Sequence, residues 1–462
     1  MSFIDAAKNA LAPSGRNGLA SGERRDPVGL MVAALTRLAQ ADLVDRLGIR
    51  RSTEQTVFRV TSAGFRTVGA TSRAFSRNGR KGAGTRVPHA HQADVFDLTA
   101  SEDQQMLVDV VSEFAAEVVR PAAADANETC LPPQDLLEAG LEIGLPILGV
   151  PEALGGIAEE RPEMTGTLVH EALSHGDLGL AVAALAPGAV ATAIGRWGSE
   201  EQQATYLPAF TGTAGTGDQV PAAALALTEP TPLFDPRRPR TTAVRTGDGY
   251  LLSGVKSMVP RGPHAELFVV GADLEGSPAL FLVESGTEGI TIEAEPSMGV
   301  RAATLSRLVL DDVEVGSIAL LGEAGGSTYV EAVRASRVAW CALAVGTGQA
   351  VLDYVTPYVK ERTAFGEPIA HRQSVAFMVA NIAIELQAMR LVTYRAGSRL
   401  AQGKDAAREV ALARRICAEK GMQIGLDGVQ LLGGHGFVKE HPVERWYRDL
   451  RATGLMEGGV MV

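Results

Sequence analysis

The chain has 462 residues, a net charge of −11 and 46% hydrophobic residues, a balance typical of a globular protein with a substantial buried core. Residues 1–90 carry 15 Lys/Arg and 6 Asp/Glu, a net of +9, whereas the remainder carries 28 and 48, a net of −20. Such an acidic body excludes a protein that binds nucleic acid over its whole surface.

Cysteine and histidine usage argues against a disulfide framework and a metal centre. Cys130, Cys341 and Cys417 are far apart and show no C-x-x-C spacing. His89 and His91 form the one close histidine pair, in a linker, and we expect no metal site there. A serine hydrolase is disfavoured because no G-x-S-x-G occurs. The first residues lack the apolar segment of a signal peptide, so we expect a cytoplasmic protein of bacterial type. Peripheral membrane association is an alternative, and a mitochondrial matrix location is less favoured.

Residues 1–92 have the composition of a basic N-terminal extension. Val28–Leu47 has apolar residues at helical spacing, with Asp26 suited to the N-cap and Pro27 to the first helical position. Ser76–Pro88 is rich in Gly, Arg and Lys and is typical of a linker. Two interpretations stay open for this arm: a packing or partly disordered extension, or a dock for a membrane surface or partner protein through its basic and aromatic residues.

Helical periodicity dominates residues 93–221. Ser101 and Gln104 have the spacing of a capping box that opens a long helix. The run from Leu178 to Gly195 has no charged residue, and its Pro187 favours a buried helix pair or a loop over a membrane span.

Strand patterns replace the helical ones in residues 222–322, and helical periodicity returns in residues 323–462. Asp248-Gly249 is a turn signal in the middle part, and Gly403 and Gly433 interrupt the later helices. Short apolar runs separated by Gly, Asp and Pro predict strands at Tyr250–Leu252, Leu267–Val270, Ala279–Val283 and Leu308–Leu310.

A loop between two long helices contains Arg362-Thr-Ala-Phe-Gly-Glu-Pro. Gly366 and Pro368 break the helix, Arg362 can place a guanidinium on a phosphate, and Phe365 can stack on a base. Gln373 begins the next helix. Taken alone, this pattern is that of an ordinary helix–loop–helix.

A second segment, Gln430-Leu-Leu-Gly-Gly-His-Gly, is followed by Pro442-Val-Glu-Arg-Trp-Tyr-Arg-Asp. The adjacent glycines Gly433 and Gly434 allow a ligand to approach the backbone closely. Taken alone, the segment is a tight turn between helices.

Together the two segments resemble those of acyl-CoA dehydrogenases, and the resemblance covers about residues 95–460. It implies an α+β fold with an N-terminal helical domain, a middle β-barrel-like domain and a C-terminal four-helix bundle. It also implies FAD-dependent α,β-dehydrogenation of an acyl-CoA thioester. The expected partners are an electron-transferring flavoprotein as acceptor and further copies in a homodimer or homotetramer, with a hetero-oligomer as an alternative.

The resemblance also implies which residues hold FAD. Arg362 and Phe365 would contact its pyrophosphate and adenine, usually those bound to a neighbouring subunit. Thr228 would meet the flavin ring from the β domain, and Met258 and Pro260 occupy the segment behind it. The rest of the adenosine side would be lined by Gln373, Gln430, Gly433 and Gly434.

The catalytic base implied by the resemblance is Glu457, in Leu455-Met-Glu-Gly-Gly. A carboxylate in a dry site can remove the weakly acidic α-proton of a thioester. Some members place the base one residue before the arginine matched by Arg337, but Ser336 stands there and cannot serve. Arg337 and Gly458 would contact the thioester end of the substrate.

Several positions depart from the family pattern. Phe234 replaces a serine that touches CoA, Met258 an aromatic residue behind the flavin, and Pro260 a threonine near flavin N5. Gly459 replaces a threonine, and the chain ends at Val462 where the family continues with another helix. Two alternatives to an active dehydrogenase therefore stay open: a non-catalytic or weakly flavinylated subunit that pairs with an active paralogue, and an oxygen-using acyl-CoA oxidase.

Overall fold

A computed structural model describes residues 99–158, 162–212 and 220–460. The basic extension, with the helix and the linker predicted in it, lies outside these residues. Chain order is helical, then β, then helical, as the sequence predicted.

Six helices form the first part, and the first begins at the predicted cap. Ser101 Oγ accepts a hydrogen bond from Gln104 N at 3.2 Å, and Gln104 Oε1 accepts one from Ser101 N at 3.1 Å, which confirms the capping box. A π-helical turn, Ala115–Val119, continues the first helix into the second. The helices are α1 Glu102–Phe114, α2 Arg120–Thr129, α3 Gln134–Glu142, α4 Glu163–Ser174, α5 Leu178–Trp197 and α6 Glu200–Phe210.

Helix α5 corrects the prediction of a helix pair or loop for this run. It is one continuous helix with Pro187 inside it, capped by Asp177, whose side chain accepts from Leu180 N. The helix is apolar all round and almost wholly buried. Burial on every face stabilises it enough to offset the backbone bond lost at the proline, and a helix without a polar face is expected in a core.

Eight strands form one mixed sheet in the order β6-β7-β3-β2-β4-β5-β8, with β1 paired in parallel to β4. The predicted turn at Asp248-Gly249 joins β2 to β3 as an antiparallel hairpin. The strands are β1 Ala223–Ala226, β2 Thr242–Arg245, β3 Gly249–Val259, β4 Leu267–Leu274, β5 Ser277–Glu284, β6 Ile290–Ala294, β7 Ser306–Gly316 and β8 Leu320–Leu321.

Three long helices and one short helix form the last part, and α4 packs against them. They are α7 Ser327–Glu361, α8 Gln373–Ala401, α9 Ala407–Leu432 and α10 Val443–Asp449; a small hairpin of β9 Thr363–Ala364 and β10 Glu367–Pro368 separates α7 from α8. Helices α5, α7 and α8 are long and apolar enough to cross a membrane by length and composition. The most apolar windows of α5 and α7 are 89% and 72% buried, as in core helices, whereas that of α8 is only 17% buried.

Candidate active site

The turn Met456–Gly459 carries the predicted base in a strained backbone conformation. Glu457 has a φ of 54° and Gly458 a φ of 97°. A non-glycine residue in the left-handed region costs free energy and persists only where its surroundings fix it. A Cβ on Gly458 would lie 2.6 Å from Pro236 Cδ and 2.8 Å from the Phe234 carbonyl, so the turn requires glycine there.

Two buried arginines hold the carbonyl groups of this turn. Arg337 Nε and Nη2 donate to the Glu457 carbonyl at 3.1 and 2.8 Å. Arg414 Nη2 donates to the carbonyls of Met456 and Gly458. Burial lowers the pKa of Arg337, and burial together with nearby Arg337 lowers the pKa of Arg414 to about 10. Three consecutive backbone acceptors therefore offset part of the desolvation of the two cations, although Arg414 Nε and Nη1 have no hydrogen-bond partner among the described residues.

The Glu457 carboxylate accepts hydrogen bonds from two hydroxyl groups. Ser336 Oγ donates to Oε1 at 2.8 Å, and Thr228 Oγ1 donates to Oε2 at 3.2 Å. Thr228 Oγ1 also accepts from Glu457 N at 3.0 Å. Only 5% of Glu457 is exposed. The structure thus places the predicted base against Thr228, the residue expected to meet the flavin.

A buried ion pair fixes the loop that presents Thr228. Lys256 Nζ on β3 lies 2.8 Å from Glu229 Oε1, and Ser257 N donates to the Thr228 carbonyl at 2.9 Å. Thr241 N and Arg240 N also donate to the Glu229 carboxylate. Burial opposes ionisation of Glu229, but Lys256 and these amides outweigh it and lower its pKa. Burial lowers the pKa of Lys256 as well.

A cavity of about 230 Å³ opens beside the carboxylate. Its wall is mainly apolar and comes from α4, α5, α7, the β sheet and the Met456–Glu457 turn. Ser336 and Pro260 also line it. A volume of this kind suits an apolar chain, and the base faces it from a protein wall rather than from solvent. The apolar side chains include Leu145, Val182, Leu185, Leu227, Val338, Trp340 and Leu343.

The residues expected on the adenosine side lie on the surface. Phe365 is 93% exposed, and Arg362, Gln373 and Gln430 are exposed as well. A Cβ built on Gly433 or Gly434 meets nothing within 4 Å. Tyr358, one turn before the end of α7, joins the two loops, because its hydroxyl donates to the Leu432 carbonyl at 3.3 Å and lies 2.9 Å from His435 Nδ1.

The residues that depart from the family pattern make defined contacts in the structure. Phe234 is buried and its carbonyl accepts from Gly459 N at 3.1 Å, so both take part in holding the Met456–Gly459 turn. Met258 packs against a cluster of buried apolar side chains that comes mainly from the first helices and includes Met456. The Met258 N–H donates to Glu295. The guanidinium of Arg337 lies on the Glu457 carbonyl, and its contact with the thioester, like that of Gly458, stays a prediction.

Sequence reasoning missed two residues of this site. The sequence gives Ser336 no role as a base, yet its hydroxyl donates directly to the Glu457 carboxylate. Arg414 was not singled out, although a charged residue on the same apolar stripe of α9 as Val410, Ala413 and Cys417 was a usable signal.

Three family models match the chain in succession. The acyl-CoA dehydrogenase N-terminal domain matches residues 101–213, the middle domain residues 224–313 and the C-terminal domain residues 324–460. These matches follow the observed order of helices, strands and helices.

Individual relatives agree with these models. The chain is 32% identical over 367 residues to a cyclohex-1-ene-1-carbonyl-CoA dehydrogenase of Geobacter metallireducens, which covers 78% of the chain and 95% of the relative. A structure of the electron-transferring flavoprotein of Acidaminococcus fermentans contains a chain with 30% identity and a TM-score of 0.72, covering 79% and 97% of the two chains. PigA with FAD and proline has 25% identity and a TM-score of 0.72, with coverage of 79% and 96%. The chain therefore belongs to the acyl-CoA dehydrogenase family of FAD-dependent oxidoreductases that act on acyl-CoA thioesters.

Proposed function

We propose that this protein is an active acyl-CoA dehydrogenase in which Glu457 removes the α-proton of the thioester. The observation that carries the proposal is the placement of its carboxylate, 5% exposed, on the wall of an apolar cavity and on a turn fixed by two arginines. A base held in this way needs little reorganisation before proton transfer.

The chain's own residues account for the proton-abstraction step of the reaction. Glu457 takes the proton from Cα and becomes a neutral acid, and the double bond forms as Cβ loses a hydride. FAD, when bound, supplies the hydride acceptor. Ser336 and Thr228 orient the carboxylate before substrate arrives, and one of these hydrogen bonds has to open for an oxygen to face Cα. The Glu457 N–H donates to Thr228 Oγ1 in the structure. In the proposed reaction this N–H would donate to the thioester oxygen, which gains negative charge.

The residues present fit FAD at both of its ends. Arg362 offers an exposed guanidinium for a diphosphate, Phe365 an exposed ring, and the open turn at Gly433 and Gly434 a backbone free of side-chain obstruction. At the flavin end, Thr228 supplies a hydroxyl, whereas Pro260 supplies neither hydroxyl nor N–H. We therefore expect FAD to be held with fewer polar contacts near the ring than the family pattern provides.

A second copy of the chain completes the adenosine side in this proposal. On α8, Phe377, Ile384 and Leu391 are 59%, 65% and 51% exposed and recur every seven residues, which forms one apolar stripe. An exposed apolar stripe of this length marks an interaction surface. Docking of two copies there would cover the loops that carry Arg362 and Phe365, in a homodimer or in a homotetramer built from it.

The reduced cofactor would pass its electrons to an electron-transferring flavoprotein. The family membership and the similarity to a chain in a structure of such a flavoprotein system support this assignment.

An anaerobic titration tests the function. Purified protein should show a flavin absorption band that bleaches on addition of straight-chain acyl-CoAs and recovers on addition of an electron-transferring flavoprotein. Rapid recovery with oxygen alone would favour an oxidase instead. A protein that retains no FAD, or a band that no acyl-CoA bleaches, would contradict the proposal and favour a non-catalytic subunit.

A further inference from the structure

Helix α4 gives the cavity a polar wall in addition to the one that carries Ser336 and Glu457. Glu163, Gly166, Thr167 and His170 line the cavity and recur at the spacing of a single helix face. A Cβ built on Gly166 meets nothing within 4 Å, so the space between Glu163 and His170 is open. The polar wall therefore faces the same space as the apolar residues beside the base.

His170 presents an acceptor to this space. Its Nδ1 lies 2.6 Å from the Gly166 carbonyl, which can only accept, so Nδ1 carries the proton. Burial lowers the pKa of His170, which keeps the ring neutral and leaves Nε2 with a lone pair. Within residues 99–158, 162–212 and 220–460, no hydrogen bond to Nε2 is found.

Glu163 presents a second acceptor. Its side chain is only 9% exposed and pairs with Arg196 through Oε1. Its Oε2 is buried and has no hydrogen-bond donor among the described residues. A buried carboxylate oxygen without a donor is costly, which indicates that another group supplies one.

The cation beside this wall is already engaged. Arg196 pairs with Glu163 and with Glu331, and its guanidinium lies 5.4 Å from the ring centroid of Trp197. Two carboxylates around one arginine leave a local excess of negative charge. A ligand carboxylate would therefore meet acceptors and a neutralised cation, whereas a hydrogen-bond donor would meet two unused acceptors.

We propose that the acyl group of the physiological substrate carries a neutral hydrogen-bond donor, a hydroxyl or amide N–H, that donates to His170 Nε2, while Glu163 keeps this wall anionic. This inference rests on the proposed dehydrogenation and names its substrate class. Dehydrogenation occurs between Cα and Cβ, so the donor lies further along the chain. His170 and Glu163 act as specificity-determining residues and take no part in proton abstraction.

The test compares straight-chain acyl-CoAs of increasing length with their ω-hydroxy and ω-carboxy derivatives, measured as kcat/KM with the holoenzyme. At the length that reaches α4, the ω-hydroxy compound should exceed the unsubstituted one by about 5- to 30-fold, as expected for one net hydrogen bond. The ω-carboxy compound should be the poorest of the three.

Variants assign the preference to the polar wall. His170→Phe removes the acceptor and should bring the ratio of hydroxylated to unsubstituted substrate close to one, while His170→Gln, which keeps an acceptor, should restore part of it. His264→Phe makes the same change at an exposed histidine and should leave the ratio intact. Oxidation of unsubstituted acyl-CoAs without any preference for hydroxylated ones would overturn the inference and leave the proposed function standing. Absence of flavin bleaching by every compound would overturn both.

Discussion

The two ends of the proposed cofactor site are built in opposite ways. At the base end, three consecutive carbonyls and three amides of the Met456–Gly459 turn have partners inside the chain, and Glu457 and Arg414 are almost fully buried. At the adenosine end, Arg362, Phe365 and the glycine turn lie open on the surface.

This difference separates what one chain fixes from what it leaves to association. The base end is organised by the folding of a single copy, so its function depends on internal hydrogen bonds. The adenosine end has donors and an aromatic ring but no enclosure within one chain, so in the proposed pair of copies its affinity for FAD would depend on a second surface. Substitutions at the two ends should therefore fail in different assays.

Glu457→Gln should give the largest effect, because it removes the base and keeps the shape of the turn. We expect the rate of anaerobic flavin reduction by acyl-CoA to fall about 10²- to 10⁴-fold, with FAD content unchanged. Stopped-flow bleaching measures the rate. Undiminished bleaching would show that another group removes the proton. It would contradict the assignment of the base end to Glu457.

Arg414→Met should destabilise the base end without touching FAD contacts. The substitution leaves the Met456 and Gly458 carbonyls without their buried donor, which costs about 2–4 kcal/mol in the free energy of unfolding. Thermal and urea unfolding measure the loss. Arg408→Met, at an exposed position of the same helix, is the control, and Arg414→Lys should recover part of the stability. Equal stability of both methionine variants would show that Arg414 does not stabilise the Met456–Gly459 turn.

Arg362→Ala should act on FAD retention alone. Loss of a charge-assisted contact with a diphosphate costs about 1.5–3 kcal/mol, or roughly ten- to a hundredfold in affinity. Flavin content after gel filtration at decreasing protein concentration measures it, because dilution separates copies. Arg408→Ala is the matched control. If parent and variant retain FAD equally at every concentration, the adenosine end is not where this arginine acts.

The smallest effect concerns pH and the buried carboxyl of Asp449 at the end of α10. Burial and the neighbouring Asp177 raise the pKa of Asp449 from its ordinary 3.8 to about 7. Between these values the folded state holds a proton that the unfolded chain has lost, so this group's contribution to stability falls as pH rises through about 7.

Asp449→Asn keeps an acceptor for the Val300 N–H, which lies 2.6 Å from Asp449 Oδ1, and cannot ionise. Relative to the parent, it should gain about 1 kcal/mol between pH 6 and pH 8. Chemical unfolding at both pH values measures the gain, with Asp248→Asn on an exposed turn as control. A constant difference between variant and parent would mean that Asp449 titrates outside this range.

Local pattern was enough for most of the fold and for part of the site. The capping box at Ser101, the hairpin at Asp248-Gly249 and the start of α8 at Gln373 each depend on a few neighbouring residues. The partners of the base could not be predicted in this way. Ser336 and Glu457 are 121 residues apart, and Arg414 and Met456 are 42 apart, so their contacts exist only after the helices pack. The prediction of a break at Pro187 was wrong for the same reason, because burial of α5 outweighs the low helix propensity of proline.

The hydrogen bonds from Arg337 and Arg414 to the Met456–Gly459 turn have a further electrostatic consequence. In a trans peptide the C=O and N–H bonds point in opposite directions. The carbonyls of Met456, Glu457 and Gly458 point to Arg414 and Arg337, so the amides of the three following residues point away from them. Two of these amides meet Thr228 and the Phe234 carbonyl on the loop after β1. The turn thus directs the positive ends of two peptide dipoles toward that loop, and the oriented backbone would help to stabilise a developing anion there.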